Sequence, residues 1–179
     1  MPLTHKEQFK QDLATCLEQF EPIFLHYYGQ GLCEKMGLPH FHKDSLDCSF
    51  AFLRILQTEQ LDYTQSFIRL QNKEYKTLRD DCLDLRQLDA FLHQYQEIRK
   101  TQDTDELDRV MQSANPHYIL RNHMAQKAIE LAERGDFSEV ERLFKLLNQP
   151  YQKQPDLETE QDTAPLPSDV PEVMVSCSS

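Results

Sequence analysis

Apolar residues recur at three- and four-residue steps along most of this chain. Between Asn115 and Gln149 (NPHYILRNHMAQKAIELAERGDFSEVERLFKLLNQ) that period comes with a full set of helix start and stop signals. Asn115 is a candidate cap, and Pro116 suits a first helical turn, where a missing N–H costs nothing. Ile119, Leu120, Met124, Ala128, Leu131 and Ala132 then share one face. Gly135 supplies a left-handed stop. Asp136 opens a second helix, with Glu139 three residues on as the other half of a capping box. Phe137, Val140, Leu143, Phe144 and Leu147 line its apolar side, with Leu143 and Phe144 expected in the core, before Pro150 closes it. The spacing predicts an antiparallel helical hairpin.

The same period organises what precedes it. Thr4 and Glu7 read as a capping box for a first helix with Phe9, Leu13, Cys16, Leu17 and Phe20 on one face. A proline inside a helix costs about 3 kcal/mol, so a kink or restart is expected at Pro22, with Ile23, Phe24 and Tyr27 continuing the face. Gly37 and Pro39 end it. Asp44 or Ser45 opens a helix carrying Leu46, Phe50, Leu53 and Leu56, and Asp62 caps a short one with Tyr63, Phe67 and Leu70. Lys73 to Asp81 reads as a polar connection. Leu85, Leu88, Phe91, Leu92, Tyr95 and Ile98 mark another helix, and Thr104 caps one with Leu107, Val110 and Met111. Strand-like alternation is missing before the tail. The predicted fold is all-α, with six to eight helices between Thr4 and Leu147 in one domain over residues 1–149.

Residues 150–179 differ in character. They hold five prolines, few large apolar side chains, and acids at Asp156, Glu158, Glu160, Asp162, Asp169 and Glu172 against Lys153. A flexible acidic arm is the expectation, because such a stretch buries too little to offset its ordering entropy.

Charge and residue usage exclude several functions. The net charge of −11 argues against nucleic acid, whose phosphates need clustered Lys and Arg. No run approaches the roughly 18 apolar residues of a membrane span. The first residues lack a signal-peptide hydrophobic region, which places the chain in the cytosol. The four glycines form no phosphate-cradling loop: GQG at Gly29 to Gly31 is followed by Glu34 where a dinucleotide fingerprint needs glycine. His40 and His42 lack the spacing of a zinc signature. No catalytic, cofactor-binding or metal-binding residue is therefore assigned. The five cysteines form no C-x-x-C pair, and Cys16, Cys33, Cys48 and Cys82 are expected to be buried thiols. Cys177 lies two residues from the end of a flexible tail, which makes it the one redox candidate.

The stretch NPHYILRNHMAQKAIELAERGDFSEVERLFKLLNQPY resembles the C-terminal region of the selenoprotein O family of protein adenylyltransferases. YYGQGLCEKMGL (Tyr27 to Leu38), LDYTQSFIRL (Leu61 to Leu70) and the ending Ser176, Cys177, Ser178, Ser179 resemble family segments too. The resemblance implies a kinase-like core, N-terminal to these residues, that binds ATP and Mg and transfers AMP to Ser, Thr or Tyr hydroxyls of protein substrates. It implies that this chain supplies a structural and redox-regulatory helical part without catalytic positions of its own. It also implies that Cys177 corresponds to the family's C-terminal cysteine or selenocysteine, which can pair with a cysteine of the core. The family often has tryptophan after LRN, where this chain has His123. The competing reading is a free-standing helical interaction module whose acidic tail recruits a basic partner.

Overall fold

The structure, a computed structural model, describes residues 5–40, 42–100 and 102–164. Among them are nine helices and no strand: α1 (His5–Met36), α2 (Lys43–Thr58), α3 (Tyr63–Gln71), α4 (Tyr75–Asp80), α5 (Leu85–Lys100), α6 (Thr104–Ala114), α7 (Asn122–Ala132), α8 (Ser138–Asn148) and α9 (Glu160–Thr163). The all-α expectation holds, with eight helices in the stretch where six to eight were predicted.

The main core is a ring of helices around Phe52. The C-terminal part of α1 packs on α2, α3 and α6, and α2 packs on α5. Phe52 is fully buried, stacked on Phe91 at 4.7 Å and edge-on to Phe67 at 5.2 Å. Leu32, Met36, Leu38, Cys48, Leu70, Leu78, Leu88 and Tyr95 complete this core. The local signals work as read at several points. The Asp62 side chain caps α3 by accepting the Gln65 N–H at 2.8 Å. Gly37, at φ +57°, ends α1, and the Leu38 N–H returns to the Cys33 carbonyl at 2.8 Å.

Arg99 then seals that helix end. Its Nη1 donates to the carbonyls of Met36 (3.2 Å) and Gly37 (3.3 Å), and its Nη2 pairs with Asp108 of α6. The Tyr95 hydroxyl donates to the same Met36 carbonyl at 2.9 Å. A buried cation thus sits at the negative end of the α1 dipole and ties three helices together.

A second, smaller core lies in the hairpin, where α7 and α8 bury Tyr118, Met124, Ala128, Leu143 and Leu146. Gly135 closes α7 at φ +83°, and the Asp136 N–H reaches the Leu131 carbonyl at 3.0 Å. The start of the hairpin differs from the sequence reading. Asn115 caps the end of α6 rather than the start of α7, donating its backbone N–H to Met111 and its side-chain amide to the Lys35 carbonyl at 2.8 Å. α7 begins seven residues later, at Asn122, and leaves Leu120 exposed. The capping box at Asp136 is also incomplete. Asp136 accepts from the Ser138 N–H, but Glu139 turns away to Arg142.

The apolar face of α8 is rotated from its expected place. Leu143 is buried as predicted, whereas Phe144 is 69% exposed and Leu146 is fully buried in its stead. Phe144→Ala is accordingly expected to change the unfolding free energy by less than about 1 kcal/mol, read from a urea titration. The polar stretch Lys73 to Asp81 contains α4, which points Leu78 into the core.

Part of the stretch expected to be a flexible arm is ordered. Residues 150–164 form an ordered strap across the hairpin, closed by α9; residues 165–179, and Cys177 with them, lie outside the described residues.

α1 has two unlike halves. It runs unbroken through Pro22, and every residue from 5 to 28 is exposed, with burial starting at Gly29. Those 24 positions, at about 1.5 Å each, extend roughly 36 Å beyond the point where the helix enters the body.

Candidate functional site

The exposed half of α1 carries Phe9, Leu13, Cys16, Leu17, Phe20, Ile23, Phe24, Tyr27 and Tyr28. At about 100° per residue these fall in one arc roughly 140° wide, which Lys6 and Lys10 share near the N-terminus; Leu25, also exposed, lies off it with Gln8, Thr15 and Glu18. Phe20 stacks on Phe24 at 5.9 Å, and Phe24 on Tyr28 at 5.4 Å, so the stripe is an ordered aromatic ladder. The period of the sequence puts all of these but Tyr28 on one face; the structure leaves that face exposed, Cys16 included, where burial of its thiol was expected.

The reason is rotational. The residues that α1 buries further on, Gly29, Leu32, Cys33 and Met36, lie about 160° around the helix from the centre of the stripe. Two faces nearly back to back cannot rest on one body, so the core that holds the second half leaves the first uncovered.

The other expected and excluded centres fall as follows. Cys33, Cys48 and Cys82 are buried, and burial raises their thiol pKa values, that of Cys48 to about 12, so they stay protonated. His42 stands at the start of α2 and His40 lies 3.8 Å from Glu34. Among the described residues no three of His, Cys, Asp or Glu gather to hold a metal.

A polar centre that the sequence did not disclose holds the strap. Arg142 of α8 donates to Glu139 through Nε and Nη2, both at 2.9 Å, and to Asp162 through Nη1 (2.7 Å) and Nη2 (2.9 Å). Its Nη1 also reaches the Leu157 carbonyl at 2.9 Å. Asp162 is 2% exposed and caps α9 by accepting the Thr159 N–H. The Tyr118 hydroxyl donates to Glu158 and accepts the Gln154 N–H at 2.8 Å.

Burial alone would raise the Asp162 carboxyl, but the hydrogen bonds from Arg142 and Thr159 outweigh it and hold it below the usual carboxylate range. A carboxyl depressed on folding stabilises at pH above its unfolded value, near 4, and that contribution disappears as pH falls through the folded value. Strap attachment is therefore expected to be constant from neutral pH to about pH 4 and to fail below it. Amide exchange of residues 150–164 against pH checks this, and Arg142→Met should free the strap at every pH.

The described residues thus form an all-helical body with a long exposed apolar helix face. The family model described as Protein adenylyltransferase SelO matches residues 4–148. The chain is 37% identical over 174 residues to the Protein nucleotidyltransferase YdiU of Pectobacterium atrosepticum, covering 93% of this chain and 35% of that protein. It is 34% identical to the YdiU proteins of Yersinia pseudotuberculosis and Methylococcus capsulatus, with 35% and 34% of their lengths covered. This chain belongs to the SelO protein adenylyltransferase family, and it spans about a third of the length of the curated relatives it matches. Among the described residues no helix is long and apolar enough to cross a membrane.

Proposed function

We propose that this chain is the helical, non-catalytic part of a SelO-type protein adenylyltransferase, acting in the cytosol with a kinase-like core that binds ATP and Mg and transfers AMP to protein hydroxyls. The observation that carries the reading is its combination of family membership with coverage of only about a third of each relative. In this reading Mg–ATP is held by the core; of the four glycines here, Gly29 and Gly31 lie inside α1 and Gly37 and Gly135 at helix ends. No step of the transfer is routed through them. Cys177 keeps its place in the proposal as a redox residue that forms a disulfide with a cysteine of the core.

The test is AMP transfer from labelled ATP. The chain alone is expected to label no protein. A chimera in which it replaces the matching third of the P. atrosepticum YdiU protein is expected to transfer AMP, with a rate that differs between reducing and oxidising buffer and loses that difference in Cys177→Ser. Denaturation-sensitive transfer by the chain alone would overturn the reading, as would an inactive chimera.

A further inference from the structure

We infer that the exposed stripe of α1 is the docking surface for the kinase-like core, received in an apolar groove built from at least two elements of that core. The inference rests on the function just proposed and assigns it a surface.

Three observations choose this occupant. The first is width. A two-stranded coiled coil covers a narrow seam, whereas an arc of about 140° matches a helix set into a folded body. The second is charge. Residues 5–28 hold Lys6 and Lys10 against Glu7, Asp12, Glu18 and Glu21, a net of −2. That balance opposes parallel pairing with an identical helix and opposes an anionic lipid surface. The third is support. Pro22 removes one rung from the helix ladder, and the stripe stays exposed along its length, although Tyr28 at its end lies 6.4 Å from the Phe50 ring of α2. Helices in water draw most of their stability from packing, so this one is built to be completed by another body. The relatives, about three times as long as this chain, have the additional residues to supply it.

Amide hydrogen exchange of residues 9–28 reads the inference out directly, in the free chain and in the chimera with the P. atrosepticum protein. Protection is expected to rise at least tenfold in the chimera and to return to the free-chain level in the double variant Leu17→Glu, Phe20→Glu. Both residues are about two-thirds exposed, so the variant leaves the melting of the free chain unchanged. Phe144→Glu, an exposed apolar position off the stripe, is expected to leave the protection intact.

Equal exchange in chimera and free chain overturns the inference. So does a free chain that sediments as a dimer through the stripe, a free chain whose stripe is protected by phosphatidylcholine–phosphatidylserine vesicles, or a chimera that folds only with the charged variant. A chimera that transfers AMP with an unprotected stripe removes the docking surface and leaves the function standing. An inactive chimera with a protected stripe does the reverse.

Discussion

Phe52→Ala is expected to lower the unfolding free energy by about 3 to 5 kcal/mol. Phe52 is the ring on which α2, α3 and α5 converge: it stacks on Phe91 and meets Phe67 edge-on. Truncation removes the transfer energy of a buried ring and leaves a void that helices already packed on every side cannot close. Two aromatic pairs are lost with it, each worth about 0.5 to 1.5 kcal/mol beyond burial. Phe52→Leu keeps most of the volume and is expected to cost less than half as much. Denaturant titrations at constant slope measure both. A loss below about 1 kcal/mol for Phe52→Ala would show that α5 moves inward to refill the site.

Arg99→Met is expected to cost about 3 kcal/mol, by a different mechanism. Methionine fits the space but donates nothing, so the Gly37 carbonyl loses its Arg99 bond and the end of α1 loses its cation. Asp108 keeps Lys73, 3.0 Å away, and Met36 keeps the Tyr95 hydroxyl, which caps the size of the effect. Arg99→Lys should not restore the loss, because a single ammonium cannot span two carbonyls and a carboxylate. Gly37→Ala is expected to act in the same direction: its φ of +57° is strained for alanine, and a Cβ there would clash with Arg99 Nη1 and stand 2.7 Å from Met111. Thermal melts of the three variants, with Arg99→Lys close to Arg99→Met, give the check.

The sequence disclosed those features that are settled within a turn or two of the chain. Asp62, Gly37 and Gly135 do what their local chemistry requires, because a cap or a left-handed stop depends only on neighbouring backbone. Asn115 is the counter-example: Asn-Pro is a good helix opening, but its side chain is committed to the Lys35 carbonyl, some 80 residues away, and α6 claims its backbone. On α8, apolar residues stand on two sides, and packing in the cluster with Tyr118, Met124, Ala128 and Leu157 selects Leu146 over Phe144. α4 hides because Leu78 is its one buried residue, with Tyr75 half-buried against the same core.

The strap escaped for a related reason. Prolines and acids count toward disorder in any compositional reading, yet Asp162 is what orders it, through one arginine on another helix. The stripe was legible residue by residue. Its lack of a cover was not, because periodicity reveals that a face is apolar and says nothing of which body lies against it.

The back-to-back faces of α1 turn helical phase into a quantity that can be set by insertion. With the stripe docked as inferred above, one rod would be gripped at two heights from opposite sides, and the orientation of one grip relative to the other would be fixed by the number of residues between them. One residue added after Tyr28 turns the stripe by about 100° and moves it only about 1.5 Å, whereas seven added residues restore the angle to within about 20° while lengthening the rod by about 10 Å. Orientation and distance between the two bodies can therefore be varied separately along this single helix.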